Sequence, residues 1–263
     1  MCLVAVAWRV HPRYPLVLLG NRDEFHRRPS VPADWWPEAP DIFGGRDLQA
    51  GGSWLGITRT GRLAVVTNNP LRPPDAERNL SRGALVRDWL NGSADPGDFL
   101  DAVAANEARY AGFSLLVGSI SRGLEGFVTP AGSLGARWHL PTGITVLSNS
   151  PREAPWPKVG WLVGALAQYL RRPMPETGPD TEELLSLVAR RMPVAEPEAD
   201  TPLARARVTP FVTGTEYGTR AATLILADDR GGWRCIERRF GPGGVPAGES
   251  QGRHASGELQ GRE

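Results

Sequence analysis

The stretch MCLVAVAWRVHPRYPLVLLGNRDEF (residues 1–25) holds two apolar runs separated by two prolines, and its reading decides the fold. Val and Leu crowd the run from Cys2 to Val10, as in a strand buried on both faces. A second run, Leu16 to Asn21, follows HPRYP, whose prolines cannot continue a β-ladder, so the two runs read as a hairpin. With the turn centred between Pro12 and Arg13, Trp8 faces Val17, Ala5 faces Gly20 and Cys2 lies opposite Asp23. Directly opposed residues share a face with Cβ atoms ~5 Å apart, so this register brings a carboxylate to the thiol. A slip of one residue would put Arg22 or Glu24 there instead and reverse the facing side.

Outward from that hairpin, strand-like runs recur at 53–59, 62–68, 113–119, 123–129, 144–149, 221–228 and 232–240. TRTG at 58–61 and DDRGG at 228–232 carry the residues of tight turns. Helical spacing appears after Ser81, after Asp95 with its following proline, over 156–170, and over 180–192 behind Asp180. Strands, two helices, strands, two helices, strands implies antiparallel sheets covered by helical layers, an α+β fold. The Pro-, Trp- and Gly-rich segment 29–52 is too long for an ordinary connection and reads as a packed flap held by Trp35, Trp36 and Phe43. Residues 1–240 are expected to form one domain, and the apolar-poor tail 241–263 to be disordered.

Composition narrows the function. A net charge of +1 recruits neither nucleic acid nor an acidic membrane. No stretch approaches the ~20 apolar residues of a membrane span, and the run from Leu3 to Trp8 is too short for an export signal. Two cysteines, Cys2 and Cys235, supply no disulfide framework, so a reduced, cytoplasmic location is expected. The scattered histidines His11, His26, His139 and His254 lack metal-site spacing, and no phosphate loop is present. Neither a metal nor another cofactor is expected.

A cysteine in an apolar strand ordinarily packs as a small buried side chain. Removal of Met1 changes its chemistry, because Cys2 then carries a free α-amine of pKa ~8 beside a thiol of ~8.5. One residue supplies nucleophile and base; a nearby carboxylate holds the ammonium and an arginine favours the thiolate.

The motifs GNRDEFHRRPS (20–30), FGGRDLQAGGSWLGITRTGRLAVVTNN (43–69), NLSRGALV (79–86), LSNSPREAPWPKV (147–159) and YGTR (217–220) resemble those of the NRDE family. That family includes the transport and Golgi organisation 2 proteins, and the likeness runs from Cys2 to about Asp228. It is similar in turn to the N-terminal-nucleophile hydrolases of the choloylglycine hydrolase and penicillin V acylase branch. The resemblance implies a four-layer αββα sandwich with Cys2 as nucleophile and Asp23 as the carboxylate on its amine. Asn68 and Asn149 become the oxyanion donors; as isolated residues they read rather as turn-capping asparagines at strand ends. Arg22 and Arg220 correspond to the acylases' arginines, although Arg22 adjoins Asp23 directly where the acylases space the two apart. Asn21, Glu24, Trp54 and Asn69 are expected to contact substrate.

Two functions follow as expectations. One is an acyl-transfer hydrolase cleaving an amide or thioester of an apolar acyl substrate, the tryptophans and the flap providing the apolar lining. The other is a non-catalytic carrier of haem or of a lipid or acyl-CoA ligand, since the family is associated with haem trafficking and lipid metabolism and fold does not dictate function.

Overall fold

The computed structural model describes residues 2–70, 72–75, 78–129, 136–150 and 154–255. In chain order its strands are β1 (Cys2–His11), β2 (Tyr14–Phe25), β3 (Ser30–Trp36), β4 (Ala39–Asp47), β5 (Leu55–Thr58), β6 (Arg62–Asn68), β7 (Phe113–Ser119), β8 (Gly123–Val128), β9 (Ala136–His139), β10 (Gly143–Ser148), β11 (Tyr217–Ala227), β12 (Trp233–Phe240) and β13 (Pro246–His254). The helices are α1 (Arg82–Asn91), α2 (Pro96–Ala105), α3 (Pro157–Leu170), α4 (Thr181–Val188) and α5 (Pro202–Val208).

β1 and β2 form the predicted hairpin, but not in the predicted register. Cys2 pairs with Arg22, Ala5 with Leu19 and Trp8 with Leu16, while His11 pairs with Tyr14 across the turn. The cause is a bulge between Trp8 and His11, where Arg9 takes φ 53°. An extra residue on one strand displaces every pair beyond it by one. Burial selects this register, because it separates two apolar sets. Val4, Val6, Trp8, Leu16 and Leu18 enter one core; Leu3, Ala5, Ala7, Val17 and Leu19 enter another.

All pairings within the two sheets are antiparallel, with orders β10-β1-β2-β11-β12-β13 and β3-β4-β5-β6-β7-β8-β9. Between them lies a core in which Val6, Leu18, Ile225 and Trp233 of the first sheet meet Phe43, Ile57, Val65 and Leu116 of the second. The first sheet's outer face packs on α3 and α4 through Leu162, Leu166, Leu184 and Val188. The second sheet's outer face packs on α1 and α2 through Val86, Trp89, Leu100 and Val103. The layers are thus αββα, as expected.

Two segments differ from the sequence reading. The 29–52 flap is largely a hairpin, β3 and β4, that extends the second sheet. β3 is an edge strand with one hydrogen-bonding neighbour, so Pro32 is tolerated in it. The tail is ordered over 246–254, where β13 pairs with β12 and Arg238 bonds Glu249 at 2.7 Å. An edge strand held by its ladder and cross-strand charges needs few apolar residues, which is why composition misreads it. The tail's remaining prediction, at 256–263, lies outside the described residues.

Candidate active site

Antiparallel pairing brings the quoted motifs to one end of the sandwich. The start of β1, the end of β2 and the start of β11 lie side by side there: Cys2 is registered on Arg22, and Asp23 on Thr219. The end of β10 adjoins the start of β1, with Leu3 opposite Ser148. From the second sheet the end of β6 reaches the same place, because Asn149 Nδ2 donates to the backbone oxygen of Asn68 at 2.5 Å.

Asp23 is 2% exposed, and its Oδ1 accepts from Thr219 Oγ1 at 2.6 Å. A bulge at Arg220 places Thr219 opposite it. Burial pushes the Asp23 carboxyl above its ordinary range, opposed by the positive charges of the amino end of the chain and Lys158 and by the Thr219 hydrogen bond. Lys158, in the first turn of α3, is fully buried. Neither Lys158 nor Thr219 was singled out from sequence. A signal for the lysine existed: Lys158, Leu162 and Leu166 follow the four-residue spacing of a buried helical stripe.

Arg22 is 5% exposed, with its guanidinium 4.3 Å from the Trp54 ring and 3.9 Å from Asp47 Oδ2. Asp47 joins two motifs. Its Oδ2 accepts from Arg28 Nε at 2.8 Å, and its Oδ1 accepts from Gln49 N at 3.1 Å. Trp54 lies flat because Gly45 has no side chain: a Cβ there would come within 2.3 Å of the indole. Similarly, the GGS turn meets α1 backbone to backbone, with Ser53 N donating to Gly83 O at 3.1 Å; a Cβ on Gly52 would sit 2.3 Å from Gly83. The glycine-rich motifs therefore serve close approach around the Arg22–Trp54 pair.

Other predicted site residues separate into two groups. Asn68, Glu24 and Trp54 line a cavity of about 490 Å³ together with Arg22 and Asp23. Asn21 does not line it. Asn21 is buried on the helical side, where Nδ2 donates to Val188 O at 2.7 Å and Pro210 O at 3.0 Å, so its task is to tie β2 to the segments above. Asn69 Nδ2 donates to Thr129 O at 2.9 Å, again a scaffold contact. Arg220 is turned away from Asp23 toward the turn after β2, donating to Phe25 O at 3.3 Å and to Arg28 O. Asn21, Asn69 and Arg220, expected to contact substrate or act in catalysis, thus each hold contacts to the scaffold, and Arg220 also lines a second, smaller cavity.

The cavity's character also departs from expectation. Arg28, Arg78 and Arg82 line it together with Asp47, Asp75 and Glu24, and Trp54 is its one tryptophan among the described residues. Trp35 packs instead against Phe43 and Trp233 in the inter-sheet core. The second cavity, of about 250 Å³, shares Arg22 and Trp54 with the first.

Among the described residues no helix is long and apolar enough to cross a membrane. A worm protein, the Caenorhabditis elegans N-acylethanolamine-hydrolyzing acid amidase ortholog, shares the fold with a TM-score of 0.51 at 13% identity, over 86% of this chain and 92% of that one. The architecture is that of the N-terminal-nucleophile hydrolases. The Bos taurus Transport and Golgi organization protein 2 homolog is 30% identical over 256 residues, covering 90% of this chain and 92% of the relative. The Mus musculus homolog is 31% identical over 258 residues with the same coverage. The Transport and Golgi organisation 2 family model matches residues 1–242, and so takes in every motif that converges on the charged cavity. The chain belongs to the Transport and Golgi organisation 2 family.

Proposed function

We propose that this protein is an acyl-transfer hydrolase of the N-terminal-nucleophile kind, with Cys2 as the nucleophile once Met1 is removed. The observation that carries the reading is the register of β1: Cys2 lies against Arg22 and one step from Asp23, at the end where Asn149 bridges to Asn68. The bulged register supports a reading in which one residue has two partners. In this reading Arg22, the strand partner of Cys2, favours a thiolate, and the adjoining Asp23 favours an ammonium.

In the reaction the Cys2 sulfur bonds to the acyl carbon as its thiol proton passes to the α-amine. The carbonyl oxygen becomes an oxyanion, for which the side-chain amides of Asn68 and Asn149 are the proposed donors. Collapse breaks the bond to the leaving nitrogen or sulfur, which takes the proton from the amine. Water then adds to the thioester carbon and gives a proton to the amine. Cleavage of the carbon–sulfur bond returns that proton to sulfur and releases the carboxylic acid. No cofactor enters this scheme.

The test pairs wild type with Cys2→Ala on a panel of N-acyl amides and acyl thioesters, with intact mass measured on the same preparations. Loss of Met1 together with hydrolysis that Cys2→Ala lacks is the expected result. Hydrolysis by Cys2→Ala, or by protein that retains Met1, would sink the mechanism. Binding without turnover in both proteins would instead favour carriage, and a shifted Soret band on titration would mark haem as the cargo.

A further inference from the structure

We infer that the second cavity, between the β3 and β13 edges, is the seat of the substrate's acyl chain, and that the charged cavity takes only the polar leaving group. Arg22 and Trp54 line both spaces, and Arg22 is the strand partner of Cys2. A bond presented where the cavities meet therefore has one side in each. The walls differ in kind: charged side chains line both, but most of the second's open surface is apolar, from residues such as Val31, Pro32, Ala221, Phe240, Pro242 and Ala247.

Charged residues at the second cavity are already committed to the protein. Arg220 donates to Phe25 O and Arg28 O, Arg239 NH1 donates to Ser250 Oγ at 2.7 Å, and Glu237 Oε1 accepts from Ala33 N at 2.8 Å. What remains for a guest is mainly apolar surface, with His26 and Ser30 as further polar groups on the wall. At about 250 Å³ the space lies below the ~300–1,000 Å³ of drug-sized ligand pockets, which fits a short or medium acyl chain rather than a whole lipid. The substrate class is thus a short-to-medium acyl group joined to a charged or strongly polar leaving group. Pro242 and Ala247 extend this wall beyond β12, so the C-terminal segment helps to set chain length.

The inference rests on the hydrolase reading for chemistry but not for binding, and the experiment separates the two. Full-length Cys2→Ala is titrated calorimetrically with N-acetylcysteamine thioesters from acetyl to octanoyl. Affinity is expected to rise about fourfold per added methylene and then level off when the space is filled. Val31→Trp and Ala247→Phe, substitutions at exposed edge-strand positions, should move that levelling to shorter chains while leaving acetyl affinity within about twofold. An unchanged chain-length series in both variants, or no binding at any length, overturns the assignment. If the series behaves as expected but wild type does not hydrolyse these thioesters, the cavity assignment stands and the hydrolase reading falls.

Discussion

Asn149 is the residue on which structure and chemistry coincide most closely. It is buried, and its amide spans the two sheets by donating to Asn68 O at 2.5 Å. Asn149→Ala removes that donor, and denaturant titration should show a loss of about 1–3 kcal/mol. If the amide also faces an oxyanion, kcat should fall by about a hundredfold to a thousandfold; a stability loss with unchanged kcat would make it a scaffold residue only. The two cysteines give a second expectation. Burial pushes the Cys235 thiol far up, so an electrophile should alkylate Cys2 in native protein and reach Cys235 only after denaturation. Peptide mapping decides it; native labelling at Cys235 would contradict its burial. At this scale the sequence was readable where neighbours lie along one strand, as Arg22 and Asp23 do beside the start of β1. It was less so where a partner arrives from a distant element: Thr219 meets Asp23 only through the bulge at Arg220.

Hairpins with tight turns were legible as elements because short apolar runs, buried on both faces, are bounded by turn chemistry, as in β5–β6 and β11–β12. The β3–β4 hairpin and β13 were not, since edge strands escape the rules that make central strands recognisable. The first hairpin shows a third limit: a bulge is invisible to alternation, so its strands were found and its register missed by one residue. Within β4, Gly45→Ala should displace the Trp54 indole and cost about 1–3 kcal/mol, measured as a lower urea midpoint. The same substitution in a Trp54→Leu background should cost much less, because the clash is with that ring; an equal cost in both backgrounds would place the strain elsewhere. Truncation after Gly241 removes β13 and uncovers the edge of β12. Native Cys235 should then react with thiol reagents that leave the full-length protein untouched, and continued protection would show that β13 does not shield it.

Across the whole molecule, the sheets are joined by polar contacts set within an apolar core, and these give stability a pH dependence of definite sign. Glu237 of β12 is 2% exposed and accepts from Ala33 N of β3, in the opposite sheet. Burial pushes its carboxyl up, with the Ala33 hydrogen bond and the charges of Arg239 and Arg22 opposing. Asp23, at the other end of the Arg22 neighbourhood, is also pushed up by burial. A carboxyl whose folded value lies above its unfolded one binds its proton more tightly in the native state. Its stabilising contribution is therefore complete below the ordinary carboxyl range and is lost as pH rises through the raised, folded value. Unfolding free energy from urea titration should fall on going from acidic pH toward neutrality, over the span set by these two groups. Glu237→Gln keeps an acceptor for Ala33 N but cannot ionise, so it should reduce that fall, and adding Asp23→Asn should nearly remove it. The urea slope should stay constant throughout, since the surface exposed on unfolding is unchanged. A wild-type profile that rises over the same span, or a Glu237→Gln profile parallel to wild type, would mean that the inter-sheet carboxylate is stabilised by its cationic neighbours more than it is penalised by burial.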